Sequence, residues 1–300
     1  MHGITPHLWF DTQAVEAARF YGETFPDSRV TSVTTLTDTP SGDVDTVTFE
    51  LFGQPFMAIS AGPLFRFNPS VSFAVACETA DEVDRYWQQL SAGGSVLMEL
   101  GSYPFSDRYG WTTDRYGLSW QVSLAPDGDP GQRVTPTLLF VGDVCGRAEE
   151  AIRAYTSVFP DSGVDLLVPY GSDAAPNAEG DVMYGSFRLA GQQFAAMDSR
   201  LDHDFGFNEA VSFLVTCDDQ DELDRYADAL SAVPEAEQCG WVKDRFGVSW
   251  QMSPADLDRM MAEGSDEQIA RVTEAFLAMK RFDLAELRRA YDGVAEPAQR

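Results

Sequence analysis

Lysine is almost missing from this 300-residue chain: Lys243 and Lys280 are the only two, and arginine supplies the rest of its basic side chains. The 21 lysines and arginines stand against 48 aspartates and glutamates, a formal net charge of −27. Nucleic acid is therefore not an expected partner, because phosphate binding needs a basic surface, and an anionic membrane is disfavoured on the same ground. The acidity suits a solvated surface that aids solubility, or a high-salt cytoplasm in which self-repulsion is screened. No apolar run nears the roughly 20 residues of a membrane span. Met1-His2-Gly3 leads straight into a strand-like segment without a signal-peptide pattern, so a cytoplasmic location is expected. Histidine is scarce (His2, His7 and His203), which leaves little material for a metal site of three protein ligands. The four cysteines lack metal spacing. Cys77 and Cys217 sit at matching places on strand-like segments and read as small buried apolar residues, while Cys145 and Cys239 have no obvious partner, as in a reduced protein. Also missing is any strand followed by a Gly-rich loop and helix, so no cradle for a nucleotide or S-adenosylmethionine is expected.

What is present is a repeat. Gly110-Trp111-Thr-Thr-Asp114-Arg115-Tyr116-Gly117-Leu-Ser119-Trp120-Gln121 returns as Gly240-Trp241-Val-Lys-Asp244-Arg245-Phe246-Gly247-Val-Ser249-Trp250-Gln251, displaced by 130 positions. Each copy reads as strand, tight turn, strand, with the glycine free to take positive φ. Earlier landmarks recur too: Thr5-Pro6 as Thr135-Pro136, Phe25-Pro-Asp-Ser28 as Phe159-Pro-Asp-Ser162, Phe67-Asn68 as Phe207-Asn208. The offset grows to 140 and then drops back to 130, so the second copy lacks ten residues between Leu230 and Trp241, where the first carries Ser95–Tyr109 with Tyr103 and Phe105.

Alternation and helical spacing give β-α-β-β-β twice in the first copy. The first unit has a strand at Ile4–Phe10, a helix from Thr12 to Phe25, and strands at Arg29–Thr37, Val44–Phe52 and Pro55–Ala61. The second has a strand at Val71–Cys77, a helix opened by the capping-box pair Thr79 and Glu82, and strands at Ser95–Leu100, Gly110–Thr113 and Leu118–Leu124. The expected organisation is α+β: residues 1–127 as one domain, 128–133 as linker, 134–254 as a second domain and 255–300 as a helical tail. Ser265 with Gln268 and Asp283 with Glu286 have the spacing of helix starts within that tail, which is expected to pack on the second domain.

Paired units of this kind resemble the vicinal oxygen chelate superfamily, the glyoxalase/bleomycin-resistance/dioxygenase fold. The residues Thr5-Pro6-His7-Leu8-Trp9-Phe10-Asp11, Phe25-Pro-Asp-Ser28, Val71-Ser-Phe73, Tyr103-Pro-Phe105 and the Gly110–Gln121 stretch are similar to its PhnB-like family, which also carries the name 3-demethylubiquinone-9 3-methyltransferase. The resemblance implies tandem glyoxalase-like domains, each of paired β-α-β-β-β units forming a cupped, mostly antiparallel sheet, and an internal pseudo-dimer of the two repeats. It also implies that the positions where metal-dependent members carry His and Glu ligands hold Thr5, Ser72 and Gln121 in the first copy and Thr135, Ser212 and Gln251 in the second. None of these is a good ligand for a divalent ion, so no metal and no cofactor are expected.

Period-two alternation puts Thr5, His7 and Trp9 on one face, with Ser72 and with Ser119 and Gln121 on the matching faces of their strands, and turns Trp120 and Trp250 into the core. His7 is the one candidate acid or base. The expected ligand-binding set is Thr5, His7, Trp9, Ser72, Tyr103, Phe105, Trp111, Ser119 and Gln121, all in the first domain, where the second copy has Thr137 and Leu139 in place of His7 and Trp9. Three functions fit: metal-independent binding of a small apolar or aromatic metabolite in the first domain, a lyase, isomerase or dioxygenase-type enzyme using His7 with Gln121, and a structural module without ligand. Asp114 and Asp244, recurring at turns, read as structural.

Overall fold

The computed structural model describes residues 3–39 and 41–294; His2 and the last six residues of the expected tail lie outside them. The first unit comprises β1 (Ile4–Phe10), α1 (Ala14–Thr24), β2 (Arg29–Thr39), β3 (Gly42–Leu51) and β4 (Gln54–Ser60). The second comprises β5 (Val71–Cys77), α2 (Ala80–Ser91), β6 (Ser95–Tyr103), β7 (Ser106–Thr113) and β8 (Ser119–Leu124). The third is β9 (Val134–Phe140), α3 (Ala148–Val158), β10 (Gly163–Pro169), β11 (Val182–Leu189) and β12 (Gln192–Asp198). The fourth, shortened, is β13 (Val211–Cys217), α4 (Gln220–Leu230), β14 (Trp241–Lys243) and β15 (Ser249–Pro254), followed by α5 (Ala255–Glu263), α6 (Asp266–Ala278) and α7 (Leu284–Asp292). The expected helix starts are present: Thr79 caps α2 through Glu82 N–H, Ser265 and Gln268 form a complete capping box, and Asp283 caps α7.

The units pair in two ways at once. Edge to edge, the strands run β14-β15-β13-β1-β4-β3-β2 in a seven-stranded sheet and β10-β11-β12-β9-β5-β8-β7-β6 in an eight-stranded one. The first unit therefore shares a sheet with the fourth and the second with the third, through the antiparallel pairs β1/β13 and β5/β9. Face to face, each half of the sequence packs its own two units together: Tyr21 meets Trp120 at 5.2 Å and Phe56 meets Phe73 at 5.3 Å, and in the second half Tyr155 meets Trp250 at 5.2 Å and Phe194 meets Phe213 at 5.4 Å. Each half thus packs its own two units against each other, and the shared sheets join the halves into one continuous apolar core. Trp120, Trp250, Cys77 and Cys217 are buried, as their alternation requires.

A carboxylate is buried within each half. Asp114 Oδ2 accepts from Tyr21 Oη at 2.7 Å and Trp120 Nε1 at 2.8 Å, while Oδ1 accepts from the N–H groups of Tyr116 and Leu118. Asp244 repeats the pattern with Tyr155, Trp250, Phe246 and Val248. Burial pushes both carboxyls above the usual range, with the donors pulling the other way. Each turn ends on a glycine with left-handed φ, Gly117 at 89° and Gly247 at 93°, as the sequence required.

The tail repairs the shortened fourth unit. In the second unit Trp87 covers Gly110, where a Cβ would lie 2.5 Å from the ring. Ala227 stands where Trp87 would recur, and Phe282 from the tail lies over Gly240 instead, 2.7 Å from a notional Cβ. Cys239 and Gly240 donate their N–H groups to Met279 and Lys280 carbonyls at 2.9 and 2.8 Å. Gln238 Nε2 donates to Leu277 O in α6, and α6 also touches β2 at the opposite edge of the sheet. A flat seven-stranded sheet would hold its edges about 29 Å apart, and a 13-residue helix is only about 20 Å long. The sheet is therefore curled into a cup.

Candidate functional site

Sheet register assembles the helix-free face of the first cup. His7 lies opposite Ser212 and beside Met57, Trp9 beside Ile59, and these continue to Thr48 and Thr46 on β3. On the other side Ser212 adjoins Ser249, Leu214 adjoins Gln251, and Gln251 lies opposite Trp241. In the second cup Thr137 lies between Ser72 and Ala195, Ser72 adjoins Ser119, Ala74 adjoins Gln121, and Gln121 lies opposite Trp111.

The nine residues expected to form one pocket are consequently divided. Thr5, His7 and Trp9 belong to the first cup. Ser72, Trp111, Ser119 and Gln121 belong to the second, with Tyr103 and Phe105 at its β6–β7 edge. His7 and Gln121 stand in different sheets, so the pairing of those two as catalytic partners is not assembled. The residues that do join His7 are Ser212, Trp241 and Gln251, from the far half of the chain. Trp241 was not among the expected site residues, because a repeated pattern gives no sign of which units share a sheet.

The cups differ in polar closure. In the second, Gln121 Nε2 donates to Ser72 Oγ at 2.8 Å, Gln121 Oε1 accepts from Tyr109 Oη at 2.7 Å, and Trp111 Nε1 donates to Ser119 Oγ at 2.8 Å. The Tyr109 ring is packed by Phe105 at 5.0 Å and Tyr103 at 5.6 Å, and its burial raises the phenol pKa. In the first, Gln251 Nε2 donates to Ser212 Oγ at 2.8 Å, but Cys239 occupies the sequence position of Tyr109 and turns its thiol toward Leu277 in the tail. Trp241 sets its ring edge-on to His7 at 5.6 Å and to Trp9 at 6.2 Å, and Trp9 packs against Phe65 at 5.1 Å. Trp9 Nε1 is held by Gly62 O at 2.8 Å. His7 is 4% exposed, and its Nδ1 is buried with no hydrogen-bond partner among the described residues. Burial pulls the imidazole down from 6.5 to about 4, so the ring is neutral at neutral pH.

The donor set does not suit a divalent metal. The Ser72/Gln121 and Ser212/Gln251 side chains are engaged with each other, His7 stands without a carboxylate, and no cluster of three or more His, Cys, Asp or Glu side chains that could hold a metal exists among the described residues. A concavity of about 340 Å³ lies at the loops that follow β9 and β12, lined by Gly142, Cys145, Arg200, Leu201, Asp202 and His203. Arg200 there is engaged by Asp181 at 2.6 and 3.0 Å, and His203 Nε2 lies 2.9 Å from Ser199 Oγ.

The model of the family described as 3-demethylubiquinone-9 3-methyltransferase matches residues 2–123 and again residues 132–253. The chain belongs to that family, twice over. A PhnB protein from Bacillus cereus carrying the same family name is 40% identical over 40% of this chain and 98% of its own, with a TM-score of 0.38. Glyoxalase I from Zea mays is similar over 86% of this chain and 96% of its own at 10% identity, with a TM-score of 0.53, a likeness of fold. No curated protein matches the chain. The glyoxalase-type fold and the tandem PhnB-like arrangement stand; no helix among the described residues is long and apolar enough to cross a membrane.

Proposed function

We propose that the chain is a metal-independent binding protein for a small aromatic molecule, received in the first cup between the first and fourth units. The observation that carries this is the buried Nδ1 of His7, which has no hydrogen-bond partner among the described residues and stands beside Trp9 and Trp241. An unpaired polar atom in such a place costs about 1–3 kcal/mol, which a ligand group recovers. The cup sets the apolar side chains of Trp9, Met57, Ile59, Leu214 and Trp241 among neutral polar groups, so an aromatic ring finds apolar contact and its polar atoms find partners. The second cup, whose equivalent groups bond each other, is assigned a structural role. Among the described residues no strand runs through a Gly-rich loop into a helix as a phosphate cradle, so they lend the methyltransferase in the family name no support.

A thermal-shift screen of small aromatic compounds tests this, since a ligand that binds only the folded chain raises its midpoint. Compounds that stabilise the wild type are expected to lose their effect in His7→Leu and Trp241→Ala and to keep it in Trp111→Ala. Loss in Trp111→Ala alone would put the ligand in the second cup and overturn the proposal. Zinc, iron and manganese salts are expected to leave the midpoint unchanged; a strong stabilisation by one of them would remove the metal-independent reading.

A further inference from the structure

We infer that the ligand of the first cup is an uncharged aromatic molecule carrying a hydrogen-bond donor on its ring, a phenol or an N–H heteroaromatic, with that donor directed at Gln251 Oε1. This rests on the first cup being the ligand site. The second cup supplies the template from within the same chain. There the phenol of Tyr109 donates to Gln121 Oε1 while Tyr103 and Phe105 pack its ring. Gln251 is held in the same way as Gln121, by a bond from Nε2 to a serine hydroxyl at 2.8 Å. That bond fixes the amide so that Oε1 is the atom left for a donor. The tyrosine is absent from the first cup: Cys239 replaces it and faces the tail. Trp241, opposite Gln251, and Trp9 beside it supply the aromatic faces of the first cup.

Charge narrows the class further. The strands at the centre of the first cup, β1, β4, β13 and β15, turn Thr5, His7, Met57, Ser212, Leu214 and Gln251 to this face, none of them ionised, in a chain of net charge −27. His7 is neutral there, and the cations on the flanking strands are already paired, Lys243 with Glu209 at 2.5 Å and Arg29 with Glu50 at 3.0 Å. An ion moved into such a face loses hydration without gaining a counter-charge. Neither a carboxylate nor an ammonium compound is therefore favoured.

The test is a titration with phenol, indole, toluene, benzoate and benzylammonium, followed by NMR of the His7 ring and the Trp241 indole. Phenol and indole are expected to shift both in a saturable way, with affinity at least tenfold above the other three, and Gln251→Leu is expected to bring phenol down to the level of toluene. A second arm uses Tyr109→Ala, in which the second cup is opened: phenol is expected to raise the thermal midpoint of that variant more than that of the wild type, and benzoate is not. Benzoate, benzylammonium or toluene binding at His7 and Trp241 as tightly as phenol overturns the class and leaves the site standing. Shifts confined to Tyr109 and Trp111, or none with any probe, overturn the site and the class together.

Discussion

The two cups are built from the same parts in the same register, and they differ in where their polar atoms end. Ser72 and Gln121 on one side, and Ser212 and Gln251 on the other, form the same hydrogen bond at the same length. The second cup then continues the chain of bonds into Tyr109 and is closed by the β6–β7 hairpin. The first stops at Gln251, and beside Ser212 it carries His7, whose Nδ1 has no hydrogen-bond partner among the described residues. The fourth unit is ten residues shorter than the second and has Cys239 at the position of Tyr109, so only one cup has the hairpin and its tyrosine. A duplicated scaffold can in this way keep one copy satisfied within itself and leave the other in need of a partner.

The largest expected effect breaks the repaired edge. Phe282→Ala empties the space over Gly240 and is expected to cost about 3–5 kcal/mol, as for a buried aromatic truncated to alanine. Ala227→Trp in that background supplies the ring from the position it has in the second unit and is expected to recover part of the loss. Urea unfolding of the single and double variants checks this; no recovery would mean that Phe282 and Trp87 are not equivalent.

Next comes the element the halves share. Asp114→Asn and Asp244→Asn are each expected to cost about 2–4 kcal/mol, because each carboxylate oxygen accepts from two donors. Whichever way the amide turns, its NH₂ meets two N–H or O–H groups. Equal losses in the two variants are expected from equal geometry. A loss under about 0.5 kcal/mol in either, the range of ordinary surface substitutions, would show that the network has an alternative arrangement.

Much of this was legible in the sequence, and the part that was not has a physical cause. Alternation alone placed Trp120 and Trp250 in the core, because period two in a strand fixes the face. The Asp-Arg-aromatic-Gly turn and the caps at Thr79, Ser265 and Asp283 follow from short-range chemistry and were equally readable. Strand partnership across halves was not. β1 meets β13, over 200 residues away, and the surfaces that select that partner over β5 are repeated in both copies. The expected site therefore joined His7 to Gln121, which stands in the other sheet, whereas Gln251 is the glutamine in the sheet of His7. Trp241 and Tyr109 went unnoticed for the same reason: each matters only through the sheet it enters.

The smallest effect separates the cups by pH. His7 has a folded value of about 4 against 6.5 for a free imidazole. Above pH 6.5 the ring is neutral in both folded and unfolded chains and contributes no slope. Between pH 6.5 and 4 the unfolded chain takes up a proton that the folded chain refuses, so stability falls as pH falls, by about 2 kcal/mol at pH 5. Below pH 4 the folded chain is protonated too and the slope from this group ends. His7→Leu removes the contribution, so its stability relative to the wild type is expected to improve by about 2 kcal/mol between pH 7.5 and pH 5. Thr137→Leu, the equivalent change in the second cup, touches no titrating group and is expected to track the wild type across the same interval. Parallel urea titrations of the three proteins decide it, and a His7→Leu curve that also runs parallel to the wild type would mean that water or a neighbouring group reaches the imidazole and that the first cup is less dry than its geometry implies.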